Sequence, residues 1–82
     1  MYYVSLSNDF GIIDHKEDFQ TAQEALDWAS GRESMYVIHI GQENKPGLSF
    51  NAENKNGEMV YSQHDTWAGW KQFTKEDIIA QL

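Results

Sequence analysis

Eighty-two residues with 40% hydrophobic and 13% aromatic content are enough for one domain with one core. A chain this short buries only about 60–65% of the surface its unfolded form exposes, so a second core is excluded. Thirteen acidic residues against six basic ones, net −7, disfavour contact with phosphate backbones, and the lack of cysteine removes disulfides and thiolate zinc sites as sources of stability.

Tyr2, Val4 and Leu6 alternate with Tyr3, Ser5 and Ser7, the period of a half-buried strand. Asn8-Asp9-Phe10-Gly11 supplies turn chemistry, and Ile12-Ile13 begins a return strand. The charged stretch Asp14-His15-Lys16-Glu17-Asp18 follows. Thr21-Ala22-Gln23-Glu24 then reads as a capping box, which predicts a helix over Thr21–Ser30 with Ala22, Ala25, Leu26 and Ala29 as its apolar stripe. Gly31 is placed to end it. Glu24 and Asp27 fall opposite the stripe, and Trp28 lies on its flank.

Met35–Ile40 is apolar on both alternating faces apart from His39, as expected of a central strand covered on both sides. Gly41 ends it, and Gln42 to Gly47 reads as a loop. Leu48–Glu53 and Met59–Ser62 form a hairpin about Asn56-Gly57, a pair that tolerates the positive φ angles of a type I′ turn. That register sets Lys55 opposite Glu58 and places Phe50, Ala52, Met59 and Tyr61 on one face. Trp67, Trp70 and Phe73 recur every third residue, which predicts a short helical or 3₁₀ turn with three rings on one side, closing the core as a lid. Thr74-Lys75-Glu76-Asp77 starts a last helix, Thr74–Leu82, with Ile78, Ile79 and Leu82 as its apolar face. The expected architecture is α+β, in the order β-β-α-β-β-β-α, with a mainly antiparallel sheet of about five strands and two helices.

Catalytic and metal chemistry find no foothold in this pattern. Neighbours such as Asp14-His15 and His64-Asp65 point to different sides of a strand or loop, so no metal set is expected. His39 reads as a hydrogen-bonded structural histidine, because no carboxylate can be placed beside it from sequence. Ala52 and Gln63 stand where a calcium loop about Asn54 and Asn56 would need carboxylates. No glycine-rich cradle or nucleophile elbow occurs, and neither a catalytic residue nor a cofactor is expected.

Binding is the function left. Asp9, Asp14, Glu17, Asp18, Glu24 and Asp27 crowd the N-terminal third, opposed only by Lys16. These acids suit a basic protein surface, and in a nuclease or CRISPR effector they would stand in for nucleic-acid phosphates. The expected contact residues are Asp14, Glu17, Asp18, Glu24 and Asp27, with Trp28, Trp67 and Trp70 as aromatic anchors. In general character the chain resembles the small acidic inhibitors carried by phages and mobile elements, without a motif that ties it to any one of them. The alternatives are a structural protein that forms a homodimer through a free sheet edge or the Trp67/Trp70 surface, and a small hydrolase or ligand-binding domain using His39 or His64. A cytoplasmic protein is expected, because the N-terminus lacks a basic leader and no apolar run approaches the ~18 residues that span a bilayer. Direct binding to nucleic acid or membrane is not expected.

Overall fold

The computed structural model describes residues 1–31 and 35–82. Eight elements follow in chain order: β1 (Tyr2–Asn8), β2 (Gly11–Phe19), α1 (Ala22–Ala29), β3 (Tyr36–Gln42), β4 (Leu48–Lys55), β5 (Glu58–Asp65), β6 (Gly69–Phe73) and α2 (Lys75–Gln81). The strands form one antiparallel sheet in the order β2-β1-β3-β4-β5-β6. The fold is therefore α+β, with six strands where about five were expected.

Alternation along β1 makes the core. Val4 and Leu6 are buried and sit opposite Ile40 and Ile38 of β3, which in turn face the Phe50 side of β4. Phe50 and Tyr61 meet edge to face, ring centroids 5.5 Å apart. Leu26, Ala25 and Ala29 of α1 and Ile78 of α2 close over this face, so both helices cover the same side of the sheet. The path β2-α1-β3 passes over β1, which lies between those two strands.

Capping chemistry starts both helices. The Glu24 amide donates to Thr21 Oγ1, while the Glu24 carboxylate accepts from the Gln20 amide rather than from Thr21 itself. At Thr74 and Asp77 the reciprocal box is complete. Ser30 caps α1, and Gly31 follows with φ +87°, the left-handed conformation that glycine adopts without a Cβ penalty. The β4–β5 hairpin has the expected register, Lys55 opposite Glu58 and Ala52 opposite Tyr61. Its turn residues Asn56 and Gly57 both have positive φ, 55° and 88°.

Three expectations are corrected. The return strand runs through the whole charged stretch, Gly11–Phe19, because an edge strand need bury only its end, and Phe19 alone of it is buried. β3 is covered on one face only: Tyr36, Ile38 and Ile40 are buried, whereas Val37 and His39 lie half-buried on the face without helices. Trp67, Trp70 and Phe73 do not share a helical turn. Asp65 Oδ1 accepts from the Trp67 and Ala68 amides in a turn, Gly69 takes φ +78°, and the chain returns as β6. Strand alternation then sends Phe73 to the core and Trp70 to the opposite face. Neither tryptophan is a lid: Trp67 is 96% exposed and Trp70 62%.

Candidate binding surfaces

Two surfaces stand out, and they lie at different parts of the sheet. The first is the edge strand β2 with the turn that precedes it. Phe10, Ile12 and Ile13 are 97%, 74% and 53% exposed, an apolar tip where the sequence pattern places a turn and the start of a return strand. A register shift in the β1–β2 ladder passes over Ile13, between the Leu6–Asp14 and Ser7–Ile12 pairs, so this end of the hairpin is irregular. The local signal was the charged run that starts immediately after it, which marks an edge rather than an interior strand.

The acidic residues of β2 do not share one face. Asp14 pairs with Leu6, whose side chain faces the core side, whereas Glu17 joins His15 on the opposite side, Oε1 to Nε2 3.1 Å. Asp14 Oδ1 also accepts from the His15 amide, and Asp18 holds φ 68° beside a second register shift. A side chain over an outward amide and a bulge in the ladder both blunt an edge against strand addition. Glu24 and Asp27 are exposed on α1 as expected. Asp27, however, is held by Lys75 Nζ at 2.5 Å and by the Gln23 amide. The Lys75 hydrogen bond keeps the Asp27 carboxyl below its ordinary range despite some desolvation, and Asp27 in turn raises Lys75. Trp28 is half-buried against Phe19, ring centroids 5.8 Å apart, with Lys16 Nζ 5.3 Å and 6.0 Å from the two ring centres. Lys16 is thus drawn onto an aromatic pair at the margin of the core.

The second surface is the helix-free face of the sheet. All three histidines stand on it, in one row with two serines. Cross-strand pairing places His15 beside Ser5, Ser5 beside His39, His39 beside Ser49, and His64 beside Trp70. Ser49, His64 and Trp70 line one shallow depression, which completes the row across all six strands.

Four of the six residues in this row are satisfied internally. Ser5 Oγ lies 2.6 Å from His15 Nδ1, and Ser49 Oγ lies 2.6 Å from His39 Nδ1. The Tyr3 hydroxyl reaches His39 Nε2 at 3.1 Å. Backbone closes over that last pair: a Cβ on Gly47 would come within 2.7 Å of His39 Nε2 and 3.0 Å of the Tyr3 hydroxyl, so any larger residue there must displace the ring. His39 is the hydrogen-bonded histidine that was expected, although its partners come from β1 and β4. Ser5, His15 and Glu17 carry the residue types of a nucleophilic triad, but ring and carboxylate are exposed. The Ser5–His15 contact ties β1 to β2.

Among the described residues no group of three or more histidine or carboxylate side chains could hold a metal ion, and no helix is long and apolar enough to cross a membrane. No protein-family model, curated protein or solved structure matches the chain significantly.

Proposed function

We propose that this protein is a non-enzymatic acidic binding module that docks on a basic protein surface, and that it acts by inhibiting a nucleic-acid-processing or host-defence complex such as a CRISPR effector or restriction enzyme. The observation that carries the reading is the β1–β2 tip. Phe10, Ile12 and Ile13 are exposed together at the end of a strand that also carries Asp14, Glu17 and Asp18. An apolar anchor rimmed by charge is the anatomy of a protein interface, in which the anchor supplies affinity and the charges speed association and select the partner. A partner built to hold nucleic acid offers the complementary basic groove, and a protein seated there displaces the substrate. Side chains do the docking in this reading, since the edge of β2 is blunted against strand pairing.

The test is inhibition of DNA cleavage by a panel of restriction endonucleases and CRISPR nucleases, with binding measured at about 0.1 M and 1 M salt. Over that range the Debye length falls from about 10 Å to about 3 Å, so association should slow. Phe10→Ser should weaken binding, and Glu17→Lys with Glu24→Lys should slow association without unfolding the protein. Binding that ignores salt and survives all three substitutions overturns the reading.

A second reading, self-association through Trp67 and Trp70, is favoured by their exposure. It requires a dimer in sedimentation equilibrium that Trp67→Ser with Trp70→Ser dissolves.

A further inference from the structure

We infer that the β4–β6 half of the helix-free face is a binding site for a neutral oligosaccharide, with Trp70 as its stacking platform. The inference is independent of the acidic edge, which lies at the other side of the sheet. It starts from a contrast within the row of polar residues. On β1 to β3 the histidines, Ser5 and Tyr3 are spent on one another and on Ser49 of β4. On β4 to β6, Asn51, Ser62 and Gln72 surround Trp70, and among the described residues their side chains make no hydrogen bond within the protein. Two amides and a hydroxyl are thus left for a ligand beside an exposed indole.

Shape sets the ligand's form. Two shallow depressions, about 220 Å³ and 260 Å³, adjoin one another and share Asn51, Ser62 and Trp70. Each is smaller than the ~300–1,000 Å³ clefts that enclose drug-sized ligands. Each suits one ring of a linear chain laid along the face, with the indole between successive rings. His64 meets the Trp70 ring at 74° with centroids 5.3 Å apart, which fixes the orientation of the platform.

Charge sets the ligand's class. The polar side chains lining the smaller depression are hydroxyls, amides and an imidazole. In the larger one the charged groups are Glu53 and Lys55, an ion pair at 3.8 Å. A locally neutral surface on a chain of net −7 gives no hold to a phosphate backbone. A sugar ring matches it: hydroxyls take both amide groups as donors and acceptors, and the C–H face of the ring carries the partial positive charge that the negative face of an indole attracts.

The experiment is a titration of the ¹⁵N-labelled full chain with chitotetraose, cellotetraose, maltotetraose and mannotetraose, following the Trp70 indole N–H and the Asn51 and Gln72 side-chain amides. The Trp70 signal is assigned by its loss in Trp70→Phe. At least one sugar should shift all three signals along a single saturable curve, equally at about 0.1 M and 1 M salt, because no ion pair is involved. Trp70→Ala should weaken that binding about tenfold, consistent with loss of an aromatic contact, and Asn51→Ala should weaken it severalfold. Circular dichroism checks that both variants stay folded, and Gln72→Ala, at an exposed position, repeats the test without touching either residue. Silence with all four sugars overturns the inference. So does binding that survives Trp70→Ala, or shifts at these residues produced only by a single-stranded oligonucleotide or a peptide.

Discussion

Lys75, the first residue of α2, reaches back to Asp27 on α1, with Nζ 2.5 Å from Oδ1. A lysine in the first turn of a helix opposes the helix dipole, and Asp27 offsets that cost while fastening the two helices together over the sheet. Both groups are partly exposed, at 52% for the carboxylate and 34% for the ammonium, so the pair contributes on the order of 0.2–1 kcal/mol.

The pH dependence of this pair has a definite sign. The folded protein holds Asp27 below its ordinary value of 3.8, so the stabilisation is present above that value and is lost as pH falls through the depressed folded one. Lys75 is raised above 10.5, so its share is complete below that value and is lost as pH climbs past the raised folded one. The stability difference between wild type and Asp27→Asn, from urea denaturation, should therefore be flat from about pH 5 to pH 9 and shrink in acid below it. A difference that grows in acid would contradict the pairing.

Gly57→Val should destabilise the protein by about 1–3 kcal/mol. Gly57 has φ +88°, where a β-branched residue is strained, although nothing crowds the space a Cβ would take. The penalty is conformational, so Gly57→Asn should recover most of it. Thermal denaturation of the two variants separates this account from a steric one, which would rank them by size.

The three tryptophans should separate by solvent access. Trp67 and Trp70 are exposed and should be quenched freely by iodide or acrylamide, while Trp28, half-buried against Phe19, should be protected. Trp67→Ala should change stability by no more than about 0.5 kcal/mol, the range of surface substitutions. Quenching measured on single-tryptophan variants checks the assignment; a loss of several kcal/mol at Trp67 would restore the lid.

Gly47→Ala should cost about 1–3 kcal/mol, as overpacking does, because the new methyl would sit 2.7–2.8 Å from the His39 ring. The imidazole resonances of His39 should move with it, while those of His64 stay in place. Parallel changes at both rings would instead indicate a global loosening.

Much of the fold could be read locally. The Thr21 and Thr74 caps, the Asn56-Gly57 turn and the alternation of Val4 and Leu6 act through neighbours a few residues away, so the chain announces them. The candidate surfaces were less legible. The acidic residues could be named from sequence, but Phe10, Ile12 and Ile13 look like ordinary turn and strand residues until the position of β2 at the edge leaves them uncovered. The threefold spacing of Trp67, Trp70 and Phe73 fits a helical turn as well as a turn followed by a strand. Pairing with β5 decides it, by setting Trp70 beside His64 and Phe73 beside Tyr61 on opposite faces. By itself the sequence determined composition, charge, caps and turns, because those depend on covalent order and short-range hydrogen bonds. Only the tertiary structure decided which strands became edges and which face lost its cover, and so drew Ser5, His39, Ser49 and Trp70 into one row, because strand order is set by long-range pairing that leaves no local periodicity to read.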